Sequence, residues 1–170
     1  MATNLEFIKS ASGTNVRSID VTNCFSADYD VYKIVIHNVK GYQVSGNRLL
    51  DMRVIDNAGT PLPYSNYDFA VLNLDSGAVF SESRVINTQL IGRLYSYNTS
   101  TSLGAVTLYI INPNDSNSYT FALYQSSGWL GKGYGAKGIG VHKVAQQITG
   151  VHFITNADNM DINISVYGVK

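Results

Sequence analysis

The chain is short of cysteine and charge, and each shortage excludes something. Cys24 is the only cysteine among 170 residues. No disulfide can form within the chain, which excludes a small disulfide-stapled secreted scaffold. Charged residues make up 14% of the sequence, against a typical ~25%. Twelve basic and 12 acidic side chains leave a formal net charge of zero. A nucleic-acid binder carries a basic surplus or a basic cluster, and this chain has neither. The same balance gives no electrostatic case for a membrane surface. No apolar run approaches the ~20 residues that a spanning helix takes. Glu6 and Lys9 sit near the start without the basic patch and apolar run of a signal peptide. The expectation is a protein made in a cytoplasm that does not leave by that route. Helical patterning is missing as well: no segment of ten or more residues repeats apolar positions every ~3.6 residues.

What is present is alternation. In the last segment Ile162, Ile164 and Val166 face one way while Asn163, Ser165 and Tyr167 face the other, the pattern of a half-buried antiparallel strand. Val151 and Phe153 give the preceding strand the same form, and the polar loop from Asn156 to Met160 joins the two into an expected hairpin that needs a second layer over its apolar face. Tyr32, Ile34 and Ile36 alternate with Lys33, Val35 and His37. Leu50, Met52 and Val54 alternate with Asp51, Arg53 and Ile55, and Asp56-Asn57-Ala58-Gly59 closes that strand. Tyr67, Phe69 and Val71 form one side of another strand; Val106, Leu108 and Ile110 form one side of a further one, which Phe121 and Leu123 partner. Val85 to Tyr97 reads as one or two strands with Gly92 at a bulge, and 98–102 as a polar turn. Ser10 to Asn15 reads as a Ser/Gly/Asn linker, 126–140 as a glycine-rich loop, and Ser76 to Arg84 fits no element.

The predicted fold is all-β: an antiparallel, jelly-roll-like β-sandwich of about nine or ten strands with little or no helix. Residues 1–25 form an N-terminal arm or short edge strands, and 26–170 one sandwich domain. A chain of this size can bury about 70% of its unfolded surface, enough for a core without staples.

No catalytic constellation stands out. Gly131 to Gly140 has the look of a phosphate loop but lacks its Gly-Lys-Ser/Thr ending, because Lys137 is followed by Gly138. It opens no helix, so no helix N-terminus meets a phosphate. Trp129, Lys132, Tyr134 and Lys137 are instead the candidate contacts to a partner protein or a glycan. His37, His142 and His152 fall in separate strands and pair with no other metal ligand in sequence, where zinc takes three or four. The oxygens of Asn156, Asp158, Asn159 and Asp161 miss the EF-hand spacing and read as a hairpin loop. Glycoside hydrolysis needs two opposed carboxylates, and none of Asp51, Asp56, Asp68, Asp75 and Glu82 forms a nominated pair. Cys24 has no base beside it and reads as a buried, inert thiol. No catalytic residue, metal or cofactor is expected. Twelve tyrosines suit both protein interfaces and plain strand formation.

Several stretches together carry a resemblance. They are Phe25-Ser26-Ala27-Asp28-Tyr29-Asp30-Val31-Tyr32-Lys33-Ile34 with Ile36-His37-Asn38-Val39, Leu50 to Gly59, Ile148 to Phe153, and the ending Ile164-Ser165-Val166-Tyr167-Gly168-Val169. Over residues 25–170 the chain resembles small virion structural proteins and tail-fibre-like domains of tailed bacteriophages, of cyanophage or marine-phage type. The resemblance implies a jelly-roll-like sandwich, often oligomeric, serving in capsid decoration, a vertex knob or a tail adaptor. It transfers no catalytic residues. Two readings follow. One is a non-enzymatic virion subunit that packs against copies of itself, a trimer foremost, and against capsid or tail proteins. The other is a carbohydrate-binding module of an appendage that recognises a host surface glycan.

Overall fold

A computed structural model describes residues 4–42, 48–77, 80–97 and 103–170. The polar turn read at 98–102 lies outside these residues. Within them the chain runs β1 (Leu5–Val16), β2 (Ser18–Val21), β3 (Val31–Gly41), β4 (Arg48–Asp56), β5 (Tyr67–Asp75), β6 (Ser81–Thr88), β7 (Gly92–Tyr97), β8 (Gly104–Ile111), β9 (Thr120–Trp129), β10 (Gly133–His142), β11 (Ile148–Thr155) and β12 (Met160–Val169), with no helix among the described residues. An eight-stranded sheet in the order β1-β12-β3-β8-β9-β10-β5-β6 packs over a four-stranded sheet in the order β2-β11-β4-β7.

Every pairing is antiparallel, and the chain crosses repeatedly between the sheets. The hairpin read at the C-terminus is not formed: β11 and β12 lie in different sheets, because each buries its apolar side toward the other layer, and their connection crosses between the sheets as the β3–β4 connection does. β12 pairs β3 in the large sheet and β11 pairs β4 in the small one. This interleaving of early and late strands is the jelly-roll-like arrangement.

The alternation read from the sequence becomes the core. Tyr32, Ile34 and Ile36 from β3, Val106, Leu108 and Ile110 from β8, and Ile162, Ile164 and Val166 from β12 form the inner face of the large sheet. Leu50, Met52 and Val54 from β4 and Val151 and Phe153 from β11 meet them from the small sheet. Removing each such side chain from water stabilises the fold by roughly 1.5–3 kcal/mol.

Two segments differ from the sequence reading. Ser10 to Asn15 is no linker: it belongs to β1, where Ser10, Ala11 and Ser12 pair Ser165, Ile164 and Asn163 of β12. The glycine-rich stretch 126–140 is no loop: it supplies the end of β9, a tight turn and most of β10. Within 126–140 Gly131 alone, at φ 75°, needs glycine's backbone freedom. Several strand glycines are there for space. A Cβ at Gly104 or Gly128 would overlap the ring of Tyr95, and one at Gly138 would overlap the ring of Tyr124. The tyrosines fill the core on top of bare backbone, so the glycines belong in strands. The edge strand β6 also emerges from the stretch that fitted no element.

Candidate functional site

The two outer faces of the sandwich have opposite character. On the large sheet, β9 alternates buried Ala122 and Tyr124 with exposed Phe121, Leu123 and Gln125. β10 alternates buried Ala136 and Gly138 with exposed Lys137 and Ile139. Register then aligns outward residues into rows. One row crosses all eight strands: Phe7, Tyr167, Lys33, Tyr109, Leu123, Ile139, Ala70 and Arg84. The next holds Thr107, Gln125, Lys137, Leu72 and Glu82. Phe7 and Tyr167 meet edge to face at 5.8 Å between centroids. Between β8 and β6 the rows line a groove of about 830 Å³.

Apolar side chains dominate that groove and remain in solvent. Ile139 is 56% exposed, and Leu72, Tyr109 and Leu123 are exposed with it, while Phe121 is exposed farther along β9. Scattered single exposures are ordinary, whereas a contiguous patch rimmed by polar groups marks an interaction surface. The rim here carries Glu82, Arg84 and Lys137, charges of both signs.

The four candidate contact residues do not form one site. Trp129 ends β9 and is exposed. Lys137 shares its face but pairs Gln125, four residues back along β9, about 13 Å away. Tyr134 lies on the opposite face of β10, in series with buried Ala136 and Gly138, and its hydroxyl donates to Asn73 Oδ1 at 2.7 Å. Lys132 sits in the β9–β10 turn and pairs Asp75 at 2.9 Å, which with the Gly77 amide holds that carboxyl below its usual range. Sequence adjacency suggested a cluster; the alternation of a strand separates it.

On the small sheet the outer face is polar. Asp20, His152 and Arg53 lie in one cross-strand row, and Ser18, Ile154, Asp51 and Arg93 in the next. His152 Nδ1 is 2.5 Å from Asp20 Oδ1. Asp51 is only 5% exposed, and its Oδ1 has no hydrogen-bond partner. Burial pushes its carboxyl up to about 6, against the opposing pull of Arg93 and Arg53. Sequence reading treated Asp51 as one more carboxylate on a polar strand face. The available signal was Ile55 on the same face of β4 and Ile154 opposite Asp51 on β11, apolar residues where water would be expected.

The remaining candidates resolve simply. Among the described residues no three His, Cys, Asp or Glu side chains converge as metal ligands. His142 is buried against Tyr67, and burial lowers its pKa. The Asn156–Asp161 oxygens tie down the β11–β12 crossover between the sheets: Asp158 pairs Arg48 at 2.5 Å and Asp161 pairs Lys40 at 3.4 Å. Cys24 is buried, its thiol donates to the Val21 carbonyl at 3.2 Å, and burial pushes its pKa to about 12.

No protein-family model and no curated protein matches the chain. Three solved structures illustrate what it is similar to. A fructofuranosidase from Schwanniomyces occidentalis complexed with fructosylnystose aligns at 6% identity and TM-score 0.24, over 99% of this chain and 35% of that one. The chain thus spans about a third of that protein's length. The CBM22-1 xylan-binding domain of Paenibacillus barcinonensis Xyn10C aligns at 10% identity and TM-score 0.27, over 95% and 71%. The CBM2 module of the Lactobacillus casei BL23 phage J-1 evolved Dit aligns at 11% identity and TM-score 0.27, over 94% and 76%. At these scores the three differ too much from this chain to lend it a ligand or an activity.

Proposed function

We propose that this chain is a non-enzymatic structural subunit that works by assembling with further copies of itself through the outer face of its large sheet. The observation that carries this is the apolar patch centred on Leu123 and Ile139, left in solvent in the single chain. Eight strands at about 4.8 Å spacing and eight residues at about 3.3 Å rise give a face of roughly 1,000 Å². A standard interface needs ~800 Å² from each partner. The rim charges Glu82, Arg84 and Lys137 include both signs, so a second copy meets complementary groups. A zero formal net charge removes long-range repulsion between copies. With the resemblance noted above, the subunit is a phage virion component: a capsid decoration, vertex knob or tail adaptor, in a small closed homo-oligomer expected to be a trimer.

A glycan platform made of Trp129 and Tyr134 is not supported, because the two rings face opposite sides of the β9–β10 ribbon.

The test is absolute mass by light scattering across a range of concentrations. The chain is expected to exceed its 18.6 kDa monomer mass. Leu123→Glu and Ile139→Glu, both on the exposed face, are expected to return it to monomer while keeping the β-sheet circular dichroism. A wild-type chain that stays monomeric at the highest concentration overturns self-assembly, and so does an oligomer indifferent to both substitutions.

A further inference from the structure

The polar cleft on the opposite side of the sandwich stands independently of the assembly reading. It encloses about 500 Å³ on the outer face of the small sheet, between the β6–β7 connection and the start of the β11–β12 turn. Asp51 forms its floor beside half-buried Ile154, with Arg53, Arg17, Gln89 and Asn156 around it.

Three features of the cleft call for a ligand. First, Asp51 Oδ1 is a buried acceptor without a donor, and a buried carboxylate left unsatisfied is costly. Second, no nitrogen of Arg53 or Arg93 comes within the 4.0 Å of an ion pair with Asp51. Arg53 uses its Nε on the Gln89 carbonyl at 3.2 Å and makes no other side-chain hydrogen bond among the described residues. Third, the Arg17 side chain makes no hydrogen bond or ion pair among the described residues. Asn156 accepts from the Leu49 amide through Oδ1 at 2.9 Å, which leaves its side-chain NH2 free to donate.

The occupant therefore has to donate to a carboxylate and accept from guanidinium and amide groups within one small volume. A metal ion or ammonium meets only the first demand and is repelled by Arg17 and Arg53. A sulfate, phosphate or carboxylate meets only the second and is repelled by Asp51. A hydroxyl donates and accepts at once, and neighbouring hydroxyls on a ring can do so toward two different side chains. Asp51 and Arg53 are two residues apart on one face of β4, about 7 Å between Cα atoms. Both line the cleft and do not pair with each other, so a group seated in it can reach both.

We propose that this cleft binds a neutral polyhydroxyl ligand, a sugar ring presented by its hydroxyl edge, with Asp51 accepting from one hydroxyl and Arg53 donating to its neighbour.

The experiment is a titration of the full-length 15N-labelled chain followed by amide chemical shifts. The probes are glucose, galactose, mannose and N-acetylglucosamine, with sodium sulfate and ethylammonium chloride as charged counterparts. At least one sugar is expected to move the amides of Asp51, Arg53, Gln89 and Asn156 in a saturable way. Asp51→Asn and Arg53→Met are each expected to weaken that sugar about tenfold or more, the loss for a charged hydrogen bond. Their remaining amide spectra should keep the wild-type dispersion. The proposal is overturned if no sugar moves those amides, if sulfate or ethylammonium binds there more tightly than every sugar, or if both variants bind as wild type. Shifts on the small sheet report this site, while mass reports the large-sheet face, so either proposal can fail alone.

Discussion

The ring of Tyr124 occupies the space that a side chain at position 138 would need, so that residue is glycine because its neighbour one strand away is tyrosine. Gly92 of the small sheet approaches the same ring from the other side: a Cβ there would lie 2.8 Å from Tyr124 Cε1. The ring is thus held between backbones of the two sheets, and burial raises its hydroxyl pKa above the usual phenol range. Tyr95 stands over Gly104 and Gly128 in the same manner. The sandwich closes by tyrosine-on-glycine contacts where a simpler one would use aliphatic pairs.

Gly138→Ala tests this contact. The added methyl has no room without moving Tyr124 and should destabilise by about 1–3 kcal/mol, the usual cost of overpacking. Combining it with Tyr124→Leu should recover part of the loss, since the two changes share one space. Urea denaturation of the single and double variants checks it. A Gly138→Ala chain as stable as wild type would sink the packing argument.

Tyr32 is wholly buried, and its hydroxyl closes the turn before β3. It donates to the Ser26 carbonyl at 2.9 Å and accepts from the Ser26 amide at 2.7 Å. Tyr32→Phe keeps the ring against Phe25, whose centroid lies 4.7 Å away, but strands both backbone groups. The expected cost is about 1–3 kcal/mol, with faster amide exchange at Ser26 than in wild type. Unchanged stability together with unchanged exchange would show that the turn holds without the hydroxyl.

Asp51 makes stability depend on pH in an unusual direction. Burial pushes its carboxyl up to about 6 in the fold, against 3.8 for an ordinary aspartate. Between those values the folded chain binds more protons than the unfolded one, so this group adds stability as pH falls from 7 toward 4. A shift of this size corresponds to roughly 3 kcal/mol at most. Asp68, Asp75 and Asp161 act oppositely: their carboxyls lie below the usual range, so their contributions are lost only as pH falls through that lower range. His142, whose pKa burial lowers, loses stability over the same range, so the Asp51 contribution is read as a difference between two chains. Asp51→Asn should be the more stable chain at pH 7, and wild type should gain on it from pH 7 to about 5. A gap between the two denaturation midpoints that stays constant over that range would contradict the burial of a charged Asp51.

Much of the architecture was legible in the order of the residues. Alternation at Tyr32-Lys33-Ile34, Leu50-Asp51-Met52 and Ile162-Asn163-Ile164 states which side chains leave water, because a strand turns successive residues to opposite faces. Those residues form the core as read. Ser10 to Asn15 and the glycines of 126–140 misled because composition reports local preference. Pairing with β12 and the tyrosine rings over bare backbone override that preference.

The sites lay beyond local reading for the same reason. Trp129, Lys132, Tyr134 and Lys137 are close along the chain, yet strand parity and the Asp75 ion pair divide them. Leu123, Ile139, Tyr109 and Leu72 are distant along the chain, yet register sets them in adjacent rows. The sequence by itself determined that this chain would form antiparallel strands with one apolar side each, because that needs only a period of two and a layer to bury against. Only the three-dimensional packing set which outward residues share a face and left Asp51 almost wholly buried at the floor of a cleft. Strand order, register and the covering connection before β7 bring together residues that the chain keeps far apart.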